Sequence, residues 1–190
     1  MMRRDHCLQQ LARHRRDDDI VVATYQAAFD WMRLAPHPLN YLSVGAMGQA
    51  SSHALGLAFG LPDRRVIVLD GDGSLLMNLG SLVTIAGARP HNLFHFVCDN
   101  RCYEANGSHP LPAADRVDFV GLARAAGIPH VASFDQVDTL AAELPMLLAL
   151  EGPVFVALKV VPGDPSPQDY AFLHGEETRR RFKAALHGAS

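Results

Sequence analysis

The chain has 190 residues, of which 48% are hydrophobic and 19% are charged, and its formal net charge is −3 at pH 7. This composition is typical of a globular protein with enough apolar mass for one core. The slight negative charge argues against a nucleic-acid binder, which needs a basic face. No apolar run approaches the ~18 residues that a membrane-spanning helix requires. The basic residues near the amino terminus are not followed by an apolar stretch, so we expect neither a membrane association nor a secretory signal.

The cysteine pattern indicates a reducing compartment. Cys7, Cys98 and Cys102 are odd in number and form no Cys-x-x-Cys pair. A disulfide framework in a secreted protein normally uses an even number. We therefore expect a cytoplasmic protein.

Short apolar runs rich in β-branched residues alternate with segments of helical periodicity. Runs that are apolar on both faces are typical of buried parallel strands. The alternation predicts an α/β fold, a doubly wound parallel sheet of about six strands with helices on both faces. We expect one domain over residues 1–190, with 162–190 forming an irregular tail and a short last helix. The expected strands are 19–23, 41–44, 65–69, 93–97, 129–133 and 153–158.

Three of the helices are predicted from apolar residues spaced three and four apart. The first runs continuously over 75–86, and the second covers 119–126 and ends at a glycine. The third follows Asp135, whose carboxylate is placed to cap it, and its apolar residues over 137–148 are expected to face inward.

The clearest motif, DGDGS (70–74), joins a predicted strand to a predicted helix. Its glycines allow a sharp turn close to a bound group. The N–H groups of Gly73 and Ser74 would lie at a helix N-terminus, which attracts phosphate. Because Asp72 would repel a bare phosphate, the motif favours a divalent cation between the two. Taken alone, the motif is explained equally well by an aspartate that caps the helix.

A second motif, DNRCYE (99–104), follows the next predicted strand. One helix and one strand separate Asp72 from Asn100, which is the length of a βαβ crossover. Both residues are therefore expected at the carboxyl edge of the sheet, where open α/β sheets bind ligands. The amide oxygen of Asn100 can bind the same cation as Asp72.

These motifs resemble the diphosphate-binding motif of thiamine diphosphate enzymes, in which a Gly-Asp-Gly is followed after a helix and a strand by an asparagine. The resemblance extends over about residues 4–182 and is strongest to the decarboxylase-type members, in particular the sulfopyruvate and phosphonopyruvate decarboxylases. It implies a thiamine diphosphate-binding fold with Mg²⁺ and thiamine diphosphate as cofactors. The similar segments are VGAMGQASSHALGLAFG, GDGSLLMNLGSLVTIA, DNRCYE and GPVFVALKVVPGDP.

The resemblance implies roles for individual residues. Asp72, the side chain of Asn100 and the backbone carbonyl of Cys102 would hold Mg²⁺. The carbonyl of Gly45 would accept a hydrogen bond from the aminopyrimidine, and Met47 would be the wedge that bends the cofactor. The residues implied to contact the cofactor are Thr24, Gly45, Met47, Gly71, Gly73, Ser74, Asn100 and Tyr103. After Thr24, Tyr-Gln replaces the glycine-containing turn of the family.

The predicted catalytic residues are Met47, Glu104 and His109. Glu104 and His109 follow Asn100 in a loop that the resemblance places near the substrate. His109 can act in acid–base chemistry or bind an anionic group, and the alternative is a solvated loop histidine. The sequence NGSHP in this loop departs from the GGQ-like sequence of the similar decarboxylases, which leaves the substrate open.

The resemblance also implies a partner. In this family a glutamate on a separate, similarly folded domain activates the aminopyrimidine, whereas the carboxylates of this chain fall in predicted turns, helix caps and charged helical faces. We expect a second chain to supply the pyrimidine-binding domain and its glutamate, and to dock on an apolar patch. The implied function is that of the diphosphate- and Mg²⁺-binding subunit of a two-chain decarboxylase, active only with its partner. It would convert a small anionic 2-oxo acid into CO₂ and an aldehyde.

Three alternatives stay open at this point. A carboligase subunit similar to acetolactate synthase would share the first chemical steps, and a non-catalytic thiamine diphosphate-binding subunit would share the fold. The sequence LDGDGS also fits the opening motif of haloacid dehalogenase-type phosphatases, with Asp70 as nucleophile and Asp72 as acid/base. That class also needs a later lysine and an acidic pair; Lys159 is the lysine nearest a predicted strand end, and a second acid close behind it is missing.

Overall fold

The computed structural model describes residues 1–42, 47–163 and 167–188. The strands are β1 (Met2–Arg3), β2 (Ile20–Ala23), β3 (Asn40–Leu42), β4 (Val66–Gly71), β5 (Leu93–Asp99), β6 (Cys102–Tyr103), β7 (His109–Pro110), β8 (His130–Phe134) and β9 (Val154–Val161). The α-helices are α1 (Arg4–Arg13), α2 (Tyr25–Leu34), α3 (Ala50–Gly60), α4 (Asp72–Met77), α5 (Ser81–Ala88), α6 (Phe119–Ala126), α7 (Val137–Leu147), α8 (Tyr170–His174) and α9 (Glu176–Leu186), and a 3-10 turn covers Glu104–Asn106.

The main sheet is parallel throughout, with the order β3-β2-β4-β5-β9. β8 pairs with residues 154–158 of β9, and β1 pairs with residues 160–161 further along the same strand. The six expected strands correspond to β2, β3, β4, β5, β8 and β9, although residues 43–44 lie outside the described part of the chain. The two-residue β1 was not expected. β6 and β7 form a separate antiparallel pair.

Helices cover both faces of this sheet, as predicted. Side chains of α1, α2 and α7, among them Leu8, Trp31 and Leu140, pack in one buried cluster. Side chains of α3, α5 and α6 pack in a second cluster, which includes Ile85 and Ala123. Because successive residues of a strand point to opposite faces, each central strand contributes to both clusters.

The predicted continuous helix over 75–86 is wrong. α4 ends at Met77 and α5 begins at Ser81, because Asn78 leaves the helical conformation and its Nδ2 donates to the carbonyl oxygen of Gly48 over 2.8 Å. Val83, one of the apolar residues of the helix predicted over 75–86, is 62% exposed.

The predicted end of α6 is confirmed, whereas the predicted cap of α7 is wrong. α6 ends at Gly127 in the left-handed conformation (φ +100°), as its sequence indicates. Asp135 does not cap α7, because the helix begins one residue later, with Gln136 at the N-cap position and no capping side chain. The tail holds two helices, α8 and α9, instead of one short helix.

A buried ion pair joins the amino ends of two central strands, opposite the predicted site. Arg65 Nε donates to Asp19 Oδ1 over 2.9 Å and its Nη2 donates to Oδ2 over 2.5 Å. Arg65 Nη2 also donates to the backbone carbonyl of His14. This arrangement fixes the segment that leads into β2 against the start of β4.

Within the described ranges, no helix combines the length and the apolar character that crossing a membrane requires.

Candidate active site

Residues at the carboxyl ends of β2, β4 and β5 surround one cleft at the edge of the sheet. Of the predicted site residues that the structure describes, all but His109 line it. Gly45 lies outside the described residues. The predicted residues that meet in the cleft are Thr24, Met47, Gly71, Asp72, Gly73, Ser74, Asn100, Cys102, Tyr103 and Glu104.

Asp72 links the two motifs. It is the first residue of α4 and is buried, and its Oδ1 accepts a hydrogen bond from Gly73 N over 2.7 Å. Its Oδ2 accepts from Arg101 N over 2.6 Å, so the turn after β4 is joined to the loop after β5. The predicted adjacency of the two strand ends is therefore confirmed. Burial raises the pKa of Asp72 to about 7, and the hydrogen bonds from these N–H groups offset only part of that shift.

Asn100 presents its amide oxygen and its amide nitrogen to different neighbours. Oδ1 accepts from Cys102 N over 3.1 Å, and Nδ2 donates to Glu104 Oε2 over 2.7 Å. An amide oxygen has a second acceptor position. Cys102 Sγ, 3.5 Å away, also donates to Oδ1, so a cation can bind there in place of the thiol while the hydrogen bond from Cys102 N is kept.

The chemistry of the donor set fits Mg²⁺. The described residues contain no group of three or more histidine, cysteine, aspartate or glutamate side chains arranged to hold a metal ion. The predicted site requires one carboxylate, from Asp72, together with the amide oxygen of Asn100 and the backbone carbonyl of Cys102. Mg²⁺ prefers oxygen ligands and is commonly bound by one or two carboxylates together with phosphate oxygens.

Ser74 and Tyr103 each contact another residue of the site, and the sequence did not predict these contacts. The hydroxyl of Ser74 accepts from Gly48 N over 2.9 Å, which fixes the turn that carries Met47. The ring of Tyr103 covers the Cα of Gly73, whereas the corresponding side of Gly71 is open. Gly71 thus leaves room for a bound group, and Gly73 leaves room for an aromatic ring.

Residues that follow β2 have unusual features. Tyr25 begins α2 with φ +50°, a left-handed conformation that is uncommon for a residue with a side chain and is found preferentially at functional sites. The neighbouring Gln26 is 7% exposed and lines the cleft, and its Oε1 is buried without a hydrogen-bond partner among the described residues. Buried polar atoms are rarely left unpaired. A bound polar ligand or water can satisfy this one.

The sequence interpretation missed Arg4, which reaches the cleft from the start of α1. Its Nε lies 2.7 Å from Asp30 Oδ2, and its Nη1 lies 2.5 Å from Glu104 Oε2. All three side chains are almost fully buried. Arg4 and Glu104 are 100 residues apart in the sequence, and no motif connects them.

His109, predicted to be catalytic, and Asp70, the nucleophile of the phosphatase alternative, lie in positions that do not favour these roles. His109 is exposed on β7, opposite Tyr103 of β6, and it does not line the cleft. Asp70 is 1% exposed; its Oδ1 accepts from Gly71 N, and its Oδ2 lies 3.1 Å from His95 Nε2. A phosphatase nucleophile must be free to attack a substrate, so this arrangement disfavours the phosphatase alternative.

Comparison with known proteins identifies the fold and the family. Residues 21–158 match the model of the thiamine pyrophosphate enzyme C-terminal TPP binding domain. The chain is 40% identical to the β subunit of sulfopyruvate decarboxylase from Methanothermobacter thermautotrophicus, over 80% of this chain and 78% of that subunit. It is 36% identical to phosphonopyruvate decarboxylase from Streptomyces viridochromogenes, over 92% of this chain and 43% of that enzyme. It therefore spans less than half of the latter protein.

A crystal structure of benzoylformate decarboxylase from Polynucleobacter necessarius superposes with a TM-score of 0.70 at 20% identity, covering 86% of this chain and 34% of that one. This likeness concerns the fold alone. The match to the family model and the sequence identity to the sulfopyruvate decarboxylase subunit show more: the chain belongs to the family of thiamine pyrophosphate enzyme C-terminal TPP binding domains.

Proposed function

We propose that this chain is the diphosphate- and Mg²⁺-binding subunit of a two-chain, thiamine diphosphate-dependent 2-oxo acid decarboxylase. The observation that carries the proposal is the meeting of Asp72 and Asn100 in one cleft, at the carboxyl ends of neighbouring parallel strands. Relatives of this chain that match over most of their own length are named β subunits of sulfopyruvate decarboxylase.

In the proposed holoenzyme, Asp72, the Asn100 amide oxygen and the Cys102 carbonyl hold Mg²⁺. The backbone around Gly71 and Gly73, at the start of α4, receives the diphosphate, and Thr24, Gly45, Ser74 and Tyr103 complete the cofactor contacts. The electron sink that a 2-oxo acid needs in order to lose CO₂ comes from the bound thiamine diphosphate. The chain's own task is to hold and orient that cofactor.

Met47 is proposed to support the cofactor from below. It lines the cleft and is half-buried. Its backbone turn is fixed by two hydrogen bonds at Gly48, whose N–H donates to Ser74 and whose carbonyl accepts from Asn78. A bulky side chain on a fixed turn can impose a shape on a flexible ligand.

The partner is proposed to supply the pyrimidine-binding domain with its activating glutamate. An uncharged surface of this chain supports such an interaction. Residues 74–88 contain no charged side chain, and neighbouring α3 contributes none of Asp, Glu, Lys or Arg. Phe59, Met77 and Val83 on α3, α4 and α5 are each more than half exposed. Exposed apolar side chains on adjacent helices are typical of a protein–protein interface.

The proposed substrate is a small anionic 2-oxo acid, with sulfopyruvate and phosphonopyruvate as the first compounds to test. We place the protein in the cytoplasm, which agrees with three free, buried cysteines.

The test is a substrate screen on the complex that co-purifies with this chain from its own host. Sulfopyruvate, phosphonopyruvate and pyruvate are supplied with Mg²⁺ and thiamine diphosphate, and CO₂, aldehyde and acetolactate are measured. Release of CO₂ with stoichiometric aldehyde is expected. Acetolactate would instead identify a carboligase subunit, and cofactor binding without any turnover would identify a non-catalytic subunit.

A further inference from the structure

The side-chain amide of Asn100 contacts a buried ion pair, formed by Arg4 and Glu104. The Arg4 and Glu104 side chains are only 5% and 8% exposed, and Arg4 Nη1 lies 2.5 Å from Glu104 Oε2. The same Glu104 oxygen accepts from Asn100 Nδ2 over 2.7 Å. Glu104 Oε1 accepts from Gly163 N over 3.0 Å. Every neighbour of this carboxylate in these contacts is a donor.

The contact with Glu104 favours one of the two orientations of the Asn100 amide, the same one that the hydrogen bond from Cys102 N to Oδ1 favours. An asparagine amide can rotate to exchange its oxygen and its nitrogen, and only the oxygen binds a cation. A carboxylate accepts hydrogen bonds and cannot donate them, so Glu104 pairs with the NH₂ group. The rotated amide would set its oxygen against the Glu104 carboxylate, and both groups are acceptors.

Arg4 keeps Glu104 in place. Its guanidinium also binds Asp30 of α2, with Nε 2.7 Å from Asp30 Oδ2. Because Arg4 is held by Asp30 and by its position at the start of α1, it fixes one oxygen of the Glu104 carboxylate. Glu104 therefore stays at Asn100 and is not free to turn toward a cation or a substrate.

We propose that Glu104, held by Arg4, is a positioning residue that turns the amide oxygen of Asn100 toward the Mg²⁺ of the cofactor. This inference rests on the proposed function and gives Glu104 a role other than contact with the substrate. Residues that hydrogen-bond to a metal ligand commonly orient that ligand in this way. Removing such a residue weakens the metal affinity by about 10- to 100-fold.

Two single substitutions and one double substitution test the mechanism. Glu104→Ala removes the acceptor for Asn100 Nδ2, so that, among the described residues, only the donors of Cys102 still hold the amide in its orientation. Glu104→Gln retains one acceptor oxygen, which can face Asn100 and Arg4, and it should keep most of the affinity. Asn100→Asp has two equivalent oxygens and needs no orientation, so adding it to Glu104→Ala should restore affinity.

The measurement is Mn²⁺ affinity, followed by electron paramagnetic resonance of free Mn²⁺, in the purified complex with thiamine diphosphate present. We expect about 10- to 100-fold weaker binding for Glu104→Ala and recovery in the double variant. A positioning role predicts that the loss of turnover in Glu104→Ala is largest at low Mn²⁺ and becomes smaller as the Mn²⁺ concentration is raised, whereas a purely structural loss would not depend on the metal concentration. Glu177→Ala, which removes an exposed glutamate paired with arginines, is the matched control and should bind as the wild type does.

Two results would overturn the inference. One is unchanged Mn²⁺ affinity in Glu104→Ala, and the other is a double variant that binds no better than Glu104→Ala. If Glu104→Ala does not assemble, the Mn²⁺ affinity of the double variant is compared with that of Asn100→Asp alone. The single variant should bind Mn²⁺ more weakly, because its new carboxylate lies against the carboxylate of Glu104. Asp72→Asn separates the two proposals: if the wild type and this variant both fail to bind Mn²⁺, the proposed function itself is wrong.

Discussion

The ring of Tyr103 lies against the Cα of Gly73, so that a Cβ at Gly73 would be 2.5 Å from the ring carbon Cδ1 and 2.6 Å from Cε1. The two residues belong to different motifs, one at the start of α4 and the other on β6. Their contact, together with the hydrogen bond from Arg101 N to Asp72, packs the loop after β5 onto the turn after β4.

Gly73→Ala is therefore expected to destabilise the protein by about 1–3 kcal/mol, the usual range for overpacking a filled site. In a Tyr103→Ala background the same substitution should cost less, because the ring is gone. Urea unfolding of the four proteins in this cycle measures the difference. Gly71→Ala is the control, since its Cβ would meet nothing within 4 Å. Equal costs of Gly73→Ala in both backgrounds would contradict this packing.

Asp19→Ala should be strongly destabilising, by about 3–5 kcal/mol, because it leaves the Arg65 guanidinium buried without its carboxylate partner. Asp19 is fully buried, and it also accepts a hydrogen bond from Arg16 N over 2.8 Å. The free energy of unfolding in urea is the measurement. Asp115→Ala is the matched control, since Asp115 is 83% exposed and lies 3.7 Å from an exposed Arg116. Similar losses in both variants would show that the Asp19–Arg65 pair is not formed.

Much of the fold follows from local patterns. The six apolar runs predicted as strands are present, and one βαβ crossover was enough to place Asp72 beside the residues after β5. These predictions succeed because strand burial and crossover length depend on short stretches of sequence.

The missed features depend on contacts between distant segments. The break between α4 and α5 requires Asn78 to bond with Gly48, which comes from another part of the chain. The contact of Arg4 with Glu104 spans 100 residues, and β1 is too short to give a pattern. Hydrophobic periodicity carries no information on such pairs, so the polar network behind Asn100 was not predictable.

Cys7 should resist alkylation in the folded protein. It is fully buried, and burial raises the pKa of its thiol to about 12, so at pH 8 about one thiol in 10⁴ is ionised. Iodoacetamide labelling followed by mass spectrometry should modify Cys7 only after unfolding in urea. Rapid labelling of the native protein would contradict the packing of α1.

The same pKa shift predicts how stability depends on pH. Since the folded pKa of Cys7 lies above its unfolded value of about 8.5, unfolding releases a proton at high pH. The stabilising contribution is complete below about pH 8.5 and is lost as pH rises toward about 12. Urea midpoints at pH 8 and pH 10 should differ more in the wild type than in Cys7→Ala. An identical pH dependence would show that Cys7 does not titrate in this way.

Asp72 and Met47 should separate cofactor binding from turnover. Asp72→Ala is expected to abolish Mg²⁺-dependent binding of thiamine diphosphate to the complex, because it removes the carboxylate of the predicted metal site. Met47→Ala should bind metal almost as the wild type does and should turn over more slowly, since it removes the side chain that we propose to support the cofactor. Calorimetric titration and steady-state kinetics provide the two readouts. Wild-type binding by Asp72→Ala would exclude the metal assignment.

The central claim is that this chain forms half of a thiamine diphosphate site that a second chain completes. Native mass spectrometry of the complex, isolated from its own host, tests this most directly. The expected result is an assembly with a second type of chain and the added masses of thiamine diphosphate and Mg²⁺. An assembly that contains only this chain, and that binds no cofactor when thiamine diphosphate and Mg²⁺ are supplied in excess, would contradict the claim.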